Sequence, residues 1–180
     1  GRSQPPLLAE MVSLLDDDAL TAEAAPLIEI ELSWWSGRRA SAVKGLARYG
    51  SDMSEPRPES YLEDVETAAR AFTPNPEKDL RSLLKERTEA GATIYGEIRA
   101  AAESGWDFSS RWLRGDGLET TRTRDIIPVD LNAFLYKAER RLAAFYATLG
   151  RQDDAARFAE KARKRKDLMD ATFWDPSCRR

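Results

Sequence analysis

The sequence predicts an all-α fold, and three observations carry that expectation. Apolar residues recur at three- and four-residue spacing through most of the chain, no strand-rich region is present, and Gly or Pro stands where the periodic runs break. The clearest run is Leu131, Phe134, Leu135, Ala138, Leu142, Phe145, Tyr146 and Leu149, stopped by Gly150. Only Gly150-Arg151 separates it from the next run, so these two helices must be antiparallel neighbours.

Taken in order, Pro5-Pro6 suit a helix start, and Leu7, Leu8, Met11, Val12, Leu14 and Leu15 follow at helical spacing to about Asp16. Thr21 is the expected N-cap of a second helix, whose apolar series from Ala24 reaches Trp34 and Trp35 before Ser36-Gly37. Between Arg38 and Pro58 the periodicity fails. That segment can hold a short hairpin, Ala40 to Val43 with Leu46 to Tyr49, before an extended Glu55-Pro56-Arg57-Pro58.

Glu59 to Phe72 reads as a third helix with Tyr61, Leu62, Val65, Ala68, Ala69 and Phe72 on its inner side, stopped by Thr73-Pro74-Asn75-Pro76. Two further helical stretches are expected from Lys78 to Arg87 and from Ala92 to Glu103, interrupted near Gly91. A long loop then runs to Pro128, where Asp130 and Asn132 look like caps for the clearest run. Gln152 to Trp174 is the last helix, with Phe158, Ala162, Met169 and Phe173 inward.

The composition suits a globular domain of 180 residues: 42% hydrophobic, 33% charged, with 28 basic against 31 acidic residues. Histidine is absent and Cys178 is the single cysteine, which excludes Cys/His zinc sites, Cys–His nucleophiles and Ser–His–Asp triads within these residues. Any acid/base chemistry therefore falls to carboxylates. No apolar run approaches the roughly 18 residues that span a bilayer, so this segment gives no evidence of membrane insertion. The basic run from Lys161 to Lys166 shares its helix with Asp153, Asp154, Glu160, Asp167 and Asp170 and lacks interleaved aromatics. It reads as a solvated face, not a nucleic-acid surface.

The stretch Ala101 to Leu113, AAESGWDFSSRWL, is unlike either a core or a surface pattern. Asp107 stands between Trp106 and Phe108. A carboxyl group flanked by large aromatics loses water, which favours its protonated form and suits it to donate a proton. Aromatic faces with Ser, Arg and carboxylates also describe a sugar site, since rings stack on C–H faces while polar groups bond hydroxyls. The same residues equally describe a loop that uses two tryptophans as plugs and an aspartate as a helix cap.

Two other loops share this chemistry, Arg2-Ser3-Gln4 ahead of Pro5-Pro6 and Arg57-Pro58-Glu59. Proline and glycine flanks hold their polar groups at low entropic cost. Arg57 and Glu59 also fit a plain helix start, with Glu59 favouring the dipole, and Arg2 fits an exposed end residue.

Four blocks, RSQPP at 2–6, PRPESY at 56–61, ESGWDFSSRW at 103–112 and PVDLNAFLY at 128–136, resemble in the same order blocks of the inverting α,α-trehalases of glycoside hydrolase family 37. The resemblance implies part of an (α/α)6 toroid of helical hairpins whose long loops form a pocket at one end. It also implies hydrolysis of α,α-trehalose to two glucose molecules, with no cofactor or metal. By the family pattern Asp107 matches the general acid, while Arg2, Ser3, Gln4, Arg57, Pro58, Glu59 and Gly105 match substrate contacts. The family's general base belongs to a later segment, so residues 1–180 are expected to be part of a catalytic domain truncated at both ends, inactive alone.

Family members favour a periplasmic or secreted location, with cytoplasmic ones known. The stretch 73–96 is longer than the family spacing. Two other readings are open: a non-catalytic carbohydrate-binding relative, and a helical module that grips a partner protein.

Overall fold

The computed structural model describes residues 4–107 and 109–178. Among them the regular structure is helical: α1 Leu8–Ser13, α2 Asp18–Arg38, α3 Tyr61–Ala71, α4 Leu80–Ser104, α5 Val129–Thr148 and α6 Gln152–Phe173. Single 3₁₀ turns lie at Pro58–Ser60, Ser110–Trp112, Leu118–Thr120 and Thr123–Asp125. The fold is all-α, as the periodicity predicts. Two compact units emerge, one built on Tyr49–Ile126 and the other on Pro5–Arg48 with the chain from Ile127 onward.

The second of these units is a helical cluster of α1, α2, α5 and α6. The apolar stripe of α5, Leu131, Leu135, Ala138, Leu142 and Tyr146, is fully buried, as are Phe158 and Ala162 of α6. The rings of Tyr146 and Phe158 lie 5.8 Å apart. From α2 the buried face is Ala24, Ala25, Ile28, Leu32 and Trp35. Gly150 turns the chain between α5 and α6 with φ +74°, a conformation that favours glycine.

Several boundaries differ from the sequence expectation. Helix α1 stops at Ser13, not Asp16, and leaves Leu14 and Leu15 exposed beside Asp16, whose φ is +48°. The cap of α2 is Asp17, whose carboxylate accepts the Leu20 N–H at 3.0 Å, and Thr21 is a buried residue of the first turn. Pro26 sits inside α2 on an exposed face, where the carbonyl it deprives of a donor is open to water.

The expected hairpin is reduced to one bridge, Ala40 to Ala47, with Ser41 N–H donating to Leu46 O at 3.0 Å and Arg48 N–H to Arg39 O at 2.8 Å. This loop is fastened by side chains. Asn132, expected as a cap, is completely buried: its Oδ1 accepts the Ala47 N–H and its Nδ2 donates to Ala47 O, both at 2.9 Å, and to Pro128 O at 2.8 Å. Arg165, expected on the solvated face, turns inward and donates from Nε and Nη2 to Glu139 at 3.0 and 2.8 Å. Its Nη1 reaches Gly45 O at 2.9 Å. The rest of the basic run, Lys161, Arg163, Lys164 and Lys166, is exposed and paired largely with acids on the same helix.

In the other unit α3 packs on α4 through Ala68, Ile94 and Ile98, with Ala71 and Tyr95 beside them. The inner face of α3 is not the expected one. Tyr61 and Leu62 are exposed, and the buried residues are Asp64, Thr67 and Ala68. Helix α4 is continuous through Gly91, because one helical glycine costs only about 1 kcal/mol and the apolar contacts of Ile94 and Ile98 just beyond it outweigh that cost. Its first half carries the long 73–96 stretch outward, with Leu80 and Leu84 exposed.

Replacing Arg165 by Ala strands Glu139 in the interior, and a loss of about 3–5 kcal/mol is expected in urea unfolding. The joint change Glu139→Leu with Arg165→Met should lose clearly less. Tyr146, pushed up to about 12 by burial and by its 2.8 Å bond to Glu29, gives a pH signature. The folded chain keeps this proton after the unfolded chain releases it near pH ~10, so that contribution to stability is present below about pH 10 and lost as pH rises towards 12. Comparing phenolate absorbance titrations of the protein and its Tyr146→Phe variant should identify one late-titrating tyrosine.

Candidate active site

The last turns of α4 organise the loops that carry the sequence motifs. Glu103 accepts the Gly50 N–H at 2.7 Å. Arg99 donates from Nε to Glu55 O and from Nη2 to Pro56 O, each at 2.7 Å. Glu97 accepts the Arg124 N–H at 2.8 Å and its Nε at 2.7 Å. Gly96 leaves the space this requires, since a Cβ there would meet the Arg124 guanidinium at 2.9 Å. A helix whose side chains satisfy loop backbone groups can hold loops that have no ladder of their own.

Helix α4 ends at Gly105, which adopts φ +75° as the left-handed cap. The next turn is drawn tight by Ser104, whose hydroxyl accepts the Trp106 N–H at 3.0 Å and donates to Ala101 O at 2.5 Å. Trp106 O in turn accepts the Ser109 N–H at 3.0 Å and the Trp112 Nε1–H at 2.9 Å. Asp107 is thereby placed two residues beyond a rigid cap, with its side chain about one third exposed at 32%.

The two tryptophans have different jobs. Trp112 is buried, edge-on to Tyr49 with ring centroids 5.9 Å apart, so it is a plug and offers no face to a ligand. Trp106 is 55% exposed, and the Arg111 guanidinium lies 4.8 Å over its ring. Phe108, the other aromatic flanking Asp107 in the sequence, lies outside the described residues.

Arg57 meets Asp107. Its backbone N–H donates to Asp64 Oδ2 at 2.8 Å, its Nε to the same oxygen at 3.1 Å and its Nη2 to Oδ1 at 2.9 Å. The remaining nitrogen, Nη1, stands 3.6 Å from Asp107 Oδ2. Pro58 and Glu59 open the adjoining 3₁₀ turn and are exposed. The structure thus brings Arg57 and Asp107 together, with Gly105 two residues before Asp107 in the chain. Gln4 is exposed, and Arg2 and Ser3 lie outside the described residues.

Glu103, at the start of the ESGWDFSSRW block, is 3% exposed and accepts from the Gly50 backbone. Sequence reasoning missed Asp64 and Arg99. The signal for Asp64 is its place seven residues after Arg57 on a turn-and-helix start, which brings the two within reach. Among the described residues no group of three or more His, Cys, Asp or Glu side chains converges as a metal site.

The trehalase family model matches residues 1–178, essentially the whole chain. The chain belongs to the trehalase family. Its chemistry is therefore that of a glycosidase acting on trehalose, and the four sequence blocks that suggested the family all lie inside the match. Two of these blocks, PRPESY and ESGWDFSSRW, are the ones that Arg57 and Asp107 join in space. No described helix of the chain is long and apolar enough to cross a membrane.

Gly105→Ala tests the cap that delivers Asp107. A methyl group meets nothing within 4 Å there, so the expected cost is the left-handed backbone alone, about 1–2 kcal/mol. Denaturant unfolding should show that loss, and Gly105→Asn should lose less because asparagine tolerates this conformation.

Proposed function

We propose that the protein hydrolyses α,α-trehalose to two glucose molecules with inversion, and that Asp107 is the general acid. The observation that carries the reading is the 3.6 Å approach of Arg57 Nη1 to Asp107 Oδ2, on two loops rich in the family's residues. A carboxyl group that is one third exposed beside a fixed guanidinium edge can meet a sugar oxygen directly.

In this reading Asp107 protonates the glycosidic oxygen while a second carboxylate activates water on the opposite face of the ring. Inverting enzymes hold such a pair roughly 6.5 to 9.5 Å apart to leave room for that water. The base is a carboxylate outside the residues assigned here. Arg57 Nη1 bonds a sugar hydroxyl, and its fixed planar fork gives that contact direction. Glu59 and Pro58 border the same turn, and the Gly105 backbone contacts the sugar beside the acid. Arg2, Ser3 and Gln4 complete the substrate contacts. These loops crown helical hairpins of an (α/α)6 toroid, of which residues 1–180 form a part. No cofactor or metal takes part.

Asp107→Asn in the full-length enzyme is the test. It keeps the shape of the side chain and removes the transferable proton, so trehalose turnover should fall by about 10²–10⁴-fold, with far-ultraviolet circular dichroism unchanged. Near-normal turnover in that variant would remove Asp107 from the role.

A further inference from the structure

The geometry points to Asp64 as the residue that positions Arg57 for the reaction, an assignment that rests on the function proposed above. Asp64 lies on α3, one turn past Tyr61, and is 1% exposed. It is outside every motif that suggested sugar chemistry, yet it holds both ends of Arg57. One carboxylate oxygen takes the backbone N–H at 2.8 Å and the Nε at 3.1 Å, and the other takes Nη2 at 2.9 Å.

An arginine side chain has several free torsions, and a single contact at its tip would leave most of them loose. Here the same carboxylate fixes the start of the side chain and the Nε/Nη2 edge of its end. Only the Nη1 edge is left, and it faces Asp107. The guanidinium is thus divided, with one edge consumed inside the fold and the other presented to the site. Arg99 restrains the approach to this residue by bonding the carbonyls of Glu55 and Pro56.

The charge balance fits the same role. A lone buried guanidinium beside Asp107 would place a full positive charge there, and Asp64 supplies the compensating negative charge on the far edge. What reaches the site is a directed donor with much of its field cancelled. A purely structural pair would have no need to leave one nitrogen turned toward Asp107.

Asp64 acts through Arg57 and touches no substrate, so its effect must vanish when Arg57 is gone. The experiment is a double-mutant cycle on trehalose hydrolysis by the full-length enzyme, using Asp64→Asn, Arg57→Ala and the pair, with the folded fraction of each measured by thermal unfolding. Asp64→Asn is expected to lower kcat/KM per folded molecule by about 10- to 100-fold, mostly in kcat, as misplacement of about 1 Å does. The double variant should be no slower than Arg57→Ala.

Should Asp64→Asn not fold, Asp64→Glu keeps the charge but moves it by one methylene, and it should fold and show the same drop in kcat. Native kcat and KM in either folded variant overturns the assignment, as does a double variant whose losses multiply. In both outcomes an active parent enzyme leaves the trehalase reading standing. A parent enzyme that does not hydrolyse trehalose removes that reading and this one together.

Discussion

The candidate site depends on one interaction, the buried pairing of Arg57 with Asp64. Taking two charges out of water is expensive, and a buried ion pair often gains nothing over apolar residues of the same volume. Stability alone therefore gives no reason for it. What the pair provides is direction: three donors of Arg57, its backbone N–H, Nε and Nη2, bond one carboxylate and fix a guanidinium whose last nitrogen is turned to Asp107. The energetic burden is offset where α3 packs on α4 through Ala68, Ile94 and Ile98.

Helix α4 extends that logic along its length. Its buried positions near the C-terminal end include Glu97 and Glu103 as well as Ile98, Ala100, Ala101 and Ala102. The alanines let neighbouring chain approach closely, and the charged residues then bond loop backbone. Gly50, Glu55, Pro56 and Arg124 are reached in this way, so segments without helix or strand are still specified. Gly105 then releases the chain in a left-handed turn, and Asp107 inherits the rigidity of the helix that precedes it.

The sequence made the helical class and the stripe of α5 legible because apolar spacing reports burial directly. It failed where polar groups are buried. Asn132 and Asp130 stand in the first turn of the same helix and look alike in sequence, yet Asn132 is fully buried on Ala47 and Pro128, and only a partner 85 residues distant decides that. Arg165 sits amid four other lysines and arginines and alone turns inward, because Glu139 of α5 lies opposite it. On α3, Tyr61 and Leu62 were the obvious inner residues, but packing Asp64 and Thr67 inward rotates the helix and leaves them exposed. Trp106 and Trp112 are indistinguishable by type, and the hydrogen bond from one indole to the other's carbonyl separates plug from exposed ring. The Arg57 and Asp107 segments were legible as chemistry; their approach was not, since it requires α3 and α4 to be packed first.

The same device recurs in the other unit, where Arg165, Glu139 and Asn132 fasten the loop from Gly45 to Ala47. In both units a long irregular segment is held by buried polar side chains of helices, and the apolar core supplies the surface on which they act. This has a consequence for how the chain tolerates change. An apolar residue of similar volume can replace another in the core at a cost usually under about 1.5 kcal/mol, whereas stranding one member of a buried pair costs about 3–5 kcal/mol. Sensitivity to substitution should therefore follow the paired charges and Asn132 more closely than the hydrophobic stripes, and in the Tyr49–Ile126 unit those charges are the ones that aim Arg57 at Asp107.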